Sequence, residues 1–311
     1  MATKHNPREE YGKVLLELAK ANRDIIALDA DLCKSTMTYL IETELPEQYI
    51  EMGIAEQNML SVAAGLALTG KIPFVNSFAV FLTGRAFDQI RQAICLANLN
   101  VKINGSSAGL SDFGDGSTHQ TVEDISIMRS IPNMTVLAPC DAFQVKAAVR
   151  EMAKYQGPVY LRYSRNDMVD LTSESDSFEI GKVYKMREGK DITVFAIGIM
   201  VEMALNVAER LESKGISVRV VNIPTIKPLD RNEVIKLSED TGRVLTAEEH
   251  SIIGGLGSSI AEALRNERIC IEFHGINDEY GQSSNELKPL LDHYGLNEEI
   301  MEKKLIELMK K

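Results

Sequence analysis

A glutamate stands at the head of an apolar helical stretch: Glu56 lies in GIAEQN (53–58), which runs on as MLSVAAGLALTG. A carboxylate that enters a hydrophobic helix after a glycine turn is placed to share a proton with a bound heterocycle. The plainer alternative is a helix-start acid that complements the helix dipole. Two other stretches invite a chemical reading and fail it. GGLGSS (254–259) precedes a helix, yet it has neither the spacing of a dinucleotide fingerprint nor the lysine of a P-loop, so tight helix–strand packing accounts for it. His250, beside two glutamates in EEHS, lacks a second histidine at ligand spacing and reads as a structural or interface residue. Cys33, Cys95, Cys140 and Cys270 lie far apart without a CxxC pair, so buried, reduced thiols are expected.

These residues need a scaffold. Strand-like runs alternate with helix-like ones along the chain, which predicts an α/β fold of parallel sheets covered by helices. Helical spacing spans 8–22, and the β-rich run DIIALDAD (24–31) follows it. After the helix that Glu56 opens come the strand IPFVNSF (72–78), a helix through 88–98 and the strand VKINGSS (101–107). That strand leads into a Gly-rich polar loop, AGLSDFGDGSTHQ (108–120). Loops at the carboxyl ends of strands are where open α/β sheets bind ligands. The pattern repeats through MTVLAP (134–139), a helix at 141–155 and PVYLRYSR (158–165), until a polar stretch at 171–191 interrupts it. Two consecutive domains are expected, at 1–175 and 191–311, joined by a linker at 176–190.

With 311 residues the chain can build two cores. A net charge of −11 argues against a nucleic-acid surface, so any anionic substrate needs a local cationic pocket. No apolar run reaches the ~20 residues of a membrane helix. The start, MATKHNPREEYGK, is too polar for a signal peptide, and a cytoplasmic chain is expected.

Taken with FAVFLTGR (78–85), DADLCKS (29–35), GDGSTHQ (114–120) and LRYSR (161–165), Glu56 gives the chain a pattern that resembles the transketolase family of thiamine diphosphate enzymes. The resemblance spans essentially the whole chain. It implies the C-terminal half of a transketolase, a pyrimidine-binding domain followed by the C-terminal domain, on a separate chain as in split bacterial transketolases. For Glu56 it implies the glutamate that hydrogen-bonds N1′ of the aminopyrimidine and so activates the cofactor. Phe78 and Phe81 match the aromatic clamp on the pyrimidine, and Ile54 and Asp31 match further positions near the cofactor. Arg85, after Gly84, stands where the family carries a third aromatic. His119 and Asp115 match residues that contact sugar hydroxyls near the reacting carbon. Arg165 matches the arginine that grips the far anionic end of the substrate, with Arg8 and Ser35 at the other anion-site positions. Arg162, three residues before Arg165, faces the opposite side if both lie in a strand. Guanidinium forks suit phosphate bidentately and sulfonate nearly as well.

One departure concerns Ser107. The family carries a histidine there, eight residues before the matched aspartate, that helps recognise the hydroxylated two-carbon unit. Its loss predicts a specialised ketose donor or aldose acceptor. The GDG at 114–116 is not the diphosphate motif of thiamine enzymes, because THQTVEDISIMRSIPNM follows it and no Asn-rich element does. No metal site is expected on this chain. The resemblance implies that an N-terminal transketolase subunit holds the diphosphate and Mg2+ or Ca2+, in an α2β2 assembly. The expected reaction is ketol transfer from a ketose phosphate to an aldose phosphate. Two alternatives are the β subunit of a 2-oxoacid dehydrogenase, with a similar GIAEQ segment, and a non-catalytic transketolase-like paralogue.

Overall fold

Apolar runs bounded by glycine, proline and polar residues become the central strands of two sheets. In a computed structural model that describes residues 3–311, the first sheet has seven strands. Their order is Thr225–Lys227, Thr135–Leu137, Val159–Arg162, Lys102–Ser106, Ile72–Phe78, Ile25–Asp29 and Tyr49–Glu51. All neighbours run parallel except the Thr225–Lys227 edge. Strands such as Ile25–Asp29 and Lys102–Ser106 are buried along their whole length, as expected of a parallel sheet covered on both faces. On one face the helices Pro7–Ala21 and Ala142–Lys154 bury Tyr11, Val14, Leu15, Val145, Ala148 and Met152. Their starts are fixed by Asn6 and Asp141, whose side chains accept from Arg8 N and Gln144 N. The helix Glu56–Leu68 covers the other face through Met59, Leu60, Ala63 and Ala64.

The second sheet runs Cys270–Ile276, Arg243–Ser251, Ile192–Ala196, Val218–Asn222 and Tyr184–Arg187. Its first four strands are parallel, and the last is antiparallel to Val218–Asn222. The two-domain α/β architecture is therefore as expected, with two additions. The polar stretch read as a linker supplies the edge strand Tyr184–Arg187, which is only partly buried. Thr225–Lys227, which follows Val218–Asn222, crosses over and pairs with Thr135–Leu137 of the first sheet. Among the described residues no helix is long and apolar enough to cross a membrane.

The segment expected as one helix through 88–98 differs in winding. A short α-turn, Phe87–Gln89, lies between two π-helical stretches, Phe81–Arg85 and Ile90–Cys95. Leu96 N accordingly bonds Arg91 O, and Leu99 N bonds Ile94 O, five residues back. A 3.6-residue periodicity cannot reveal such widening. Arg85, at the end of the first of these stretches, lies over the ring of Phe81, with Cζ 4.7 Å from the centroid.

Candidate active site

The carboxyl ends of the parallel strands converge on one rim of the first sheet. Phe78 ends Ile72–Phe78, the polar loop follows Lys102–Ser106, and Arg165 lies three residues beyond Val159–Arg162. The second domain holds the polar loop in place. Leu110 N donates to Glu249 Oε1 at 2.8 Å, Ser251 N donates to Val122 O at 2.7 Å, and Gln120 Nε2 donates to Gln282 O at 3.1 Å. Gly109 is obligatory here: its φ is +65°, and a Cβ would lie 2.6 Å from the Glu249 carboxyl carbon.

Glu56 is 1% exposed at the start of its helix, after a turn in which Gly53 takes a φ of +65°. Its two oxygens accept from Arg85 Nη1 at 2.8 and 2.9 Å. Phe78 and Phe81 stack with centroids 5.9 Å apart and planes 17° from parallel. His119 meets both rings edge-on, at 6.2 and 5.3 Å. Its Nδ1 lies 2.9 Å from Thr118 Oγ1. The residues present fit an aminopyrimidine. The Arg85 guanidinium, a planar nitrogen cation, already rests on Phe81 and hydrogen-bonds Glu56, so it stands in chemically for a flat, N–H-bearing heterocycle.

The aromatic pair continues into a cationic corner. Arg165 Cζ lies 6.0 Å from the Phe78 centroid, and its Nη1 is paired with Asp112 Oδ1 at 2.6 Å. Like Asp115, Arg8 lines the same pocket. Its pKa is lowered by burial and then by the neighbouring Arg165. Arg8 Nη1 donates to the carbonyl oxygen of Ser35, not to its hydroxyl, at 3.4 Å. The short helical turn Cys33–Thr36 that carries Ser35 is organised by Asp29, which accepts from Leu32 N, Thr36 Oγ1 and Thr38 Oγ1. Burial pushes the Asp29 carboxyl up to about 6, against those hydrogen bonds.

Several expected contacts lie apart from this pocket. Arg162 does not reach it: the side chain is buried, its Nε is 2.8 Å from Asp124 Oδ2, and Nη2 donates to Glu249 O. Arg162 is the last residue of its strand and is held inside by Asp124, whereas Arg165 lies beyond the strand at the rim. Ser107 is fully buried with a φ of +55°, and its Oγ has no hydrogen-bond partner among the described residues. Ile54 is 75% exposed on the lip ahead of the Glu56 helix. Asp31 is exposed, with a φ of +60° and its amide donating to Glu51 Oε1.

GGLGSS wraps a protein carboxylate. Glu248 accepts from Leu256 N at 2.6 Å and Gly257 N at 2.8 Å, which leaves no place there for a phosphate. Glu248 and Glu249 are both pushed up to about 7 by burial, and His250 is pushed down to about 4 for the same reason. His250 is wholly buried, and among the described residues no three His, Cys, Asp or Glu side chains cluster as metal ligands. Sequence reasoning missed Asp112 at the rim; the signal was a second acid three residues before Asp115 in SDFGD.

A chain of two successive parallel-sheet domains that gathers a buried carboxylate, an aromatic wall and an arginine pair on one rim is an α/β protein of the thiamine-enzyme type. The chain belongs to the transketolase family. The family's pyrimidine binding domain matches residues 4–169, and its C-terminal domain matches residues 181–300. A transketolase C-terminal section from Methanocaldococcus jannaschii is 45% identical, covering 98% of this chain and 96% of its own length. A 6-deoxy-6-sulfo-D-fructose transketolase subunit of Clostridium sp. is 44% identical over 89% of this chain and 87% of that subunit. A solved split-gene transketolase, described as an inactive β4 tetramer, has a TM-score of 0.91 at 45% identity and covers 98% of each chain.

Proposed function

We propose that this chain is one of two subunits of a thiamine diphosphate-dependent transketolase and transfers a two-carbon ketol unit from a ketose to an aldose. The observation that carries the proposal is the Glu56 carboxylate, buried beside a stacked aromatic pair and already hydrogen-bonded to a planar nitrogen cation. When bound, the cofactor supplies a nucleophilic carbon and an electron sink. Glu56 would hold the proton at N1′ of the pyrimidine, in exchange for the hydrogen bonds that it accepts from Arg85. Phe78 and Phe81 provide the flat wall, with Ile54 and Asp31 at its margin. His119 and Asp115 meet substrate hydroxyls near the reacting carbon, where imidazole can donate or accept as oxygen charge changes. Arg165 and Arg8, the latter backed by the Ser35 carbonyl, hold the far anionic end. Arg162 holds the rim from inside through Asp124.

Ser107 leaves a smaller, weaker hydrogen-bonding group where a histidine is usual, and this favours a specialised sugar. The diphosphate and a divalent metal, Mg2+ or Ca2+, belong to a partner subunit in an α2β2 assembly. Leu68, exposed at the end of the Glu56 helix, and Leu96, exposed after the helical segment packed on it, suit that interface. The test is to purify the chain with the product of the neighbouring reading frame and to screen ketose donors. Cleavage that requires both chains and thiamine diphosphate supports the proposal. Oxidation of a 2-oxoacid by the same complex, without ketose cleavage, overturns it.

A further inference from the structure

Asp112 faces the substrate pocket although it is only 2% exposed. Its Oδ1 is held by Arg165, while Oδ2 is buried and accepts no hydrogen bond from any described residue. Burial lifts the Asp112 carboxyl above its usual range, and Asp115 beside it adds to the rise against the pull of Arg165. The charge at this position is therefore incompletely compensated. Two guanidinium groups, Arg8 and Arg165, share the pocket with three carboxyls, Asp112, Asp115 and Asp167. The formal sum is two minus three, or −1. Asp115 and Asp167 lie at exposed positions where water screens them, and Asp167 already accepts from Asn6 Nδ2 at 2.9 Å. Asp112 is the carboxyl that an incoming anion meets in a poorly solvated place, directly on the arginine that would bind it.

We infer that Asp112 is a specificity residue, which turns this pocket toward singly charged substrate ends such as a sulfonate and away from dianionic phosphate. The inference rests on the reading of Arg8 and Arg165 as the site for the far anionic end. A monoanion can share Arg165 with Asp112 and take up Arg8. A dianion brings a second negative charge against the carboxylate and must displace it or force it to take a proton. Selectivity arises here from repulsion as much as from attraction.

The experiment uses the chain assembled with its partner subunit and two ketohexose donors that differ only in a sulfonate or a phosphate on C6. Asp112→Asn keeps the shape and removes the charge. It is expected to lower KM for the phosphate donor about tenfold, equivalent to about 1.4 kcal/mol, with little change in kcat or in the sulfonate donor. An equal change in both donors, or none, overturns the inference. Asp112→Ser is the second variant should the first fail to assemble. The full chain alone gives a parallel readout with inorganic sulfate and methanesulfonate, a dianion and a monoanion of similar shape. Tighter binding of sulfate alone supports the inference, and parallel shifts overturn it. Arg8→Gln tests the underlying reading. If that variant handles both donors like wild type, the pocket does not hold the anionic end, and the site assignment fails along with the inference.

Discussion

Arg85 donates from a single nitrogen to both carboxylate oxygens of Glu56 while its guanidinium lies over Phe81. The buried acid thus has a counterion from its own chain, at the end of the π-helical stretch that Phe81 begins. Any ligand that needs Glu56 must first take it from Arg85, whose side chain is about half exposed at 47%.

Glu56→Gln keeps the size of the side chain and its ability to accept from Arg85, so folding and assembly should be preserved. Turnover of the two-subunit complex should fall by several orders of magnitude. Near-wild-type ketose cleavage by the variant, measured at saturating cofactor, would remove Glu56 from the chemistry.

Arg85→Leu leaves the buried carboxylate without a partner. Loss of a buried group's hydrogen-bond partner costs about 1–3 kcal/mol. Since Arg85 is itself half exposed, the lower end of that range is expected. Urea unfolding of the variant and of Glu56→Gln/Arg85→Leu together should show the cost largely relieved in the double variant. Additive losses would show that the two residues are not coupled.

The two arginines of RYSR should behave oppositely. Arg162→Met strands Asp124 in the interior, and breaking a buried pair from one side costs roughly 3–5 kcal/mol. Arg165→Gln keeps an amide that can donate to Asp112 Oδ1, so it should cost clearly less stability than Arg162→Met while raising KM for anionic substrates tenfold or more. Thermal melts and KM values on both variants separate the roles, and a substrate effect confined to Arg162→Met would reverse them.

Lys102 is fully buried, with Nζ donating to the carbonyls of Tyr155 and Gly157, and burial pushes its pKa down to about 7 from 10.5. Between these values the unfolded chain binds more protons than the folded chain, so raising the pH stabilises the fold. Below pH 7 both states carry the charge, and its burial penalty is present in full. Wild type should gain stability relative to Lys102→Met as pH rises from 7, by at most about 1.4 kcal/mol per unit. A pH-independent difference in denaturant unfolding would contradict the low pKa.

Strands such as Ile72–Phe78 could be read from sequence residue for residue, because an apolar run that ends at a turn signals its own limits. Glu56 was legible for a similar reason, as an acid out of place in an apolar helix. Tyr184–Arg187 was not, since an edge strand that is half exposed can carry Lys and Arg and passes for a linker. Arg162 and Arg165 look equivalent in sequence, and only the point where the chain leaves the sheet sends one inward and the other to the rim. Asp112 was hidden because its meaning depends on Arg165, 53 positions away, and on a loop held by the other domain.

Thr225–Lys227 belongs by sequence to the second domain and by pairing to the first sheet. Scissors applied to the gene between the domains would therefore not release two independent parts. The upstream product would lack a border strand and present the raw side of Thr135–Leu137 to solvent, an invitation to aggregate. The downstream product would carry an orphan strand with nothing to bind. Although relatives such as the split-gene transketolase are divided into separate polypeptides, this stitch ties the two domains of the present chain into one piece.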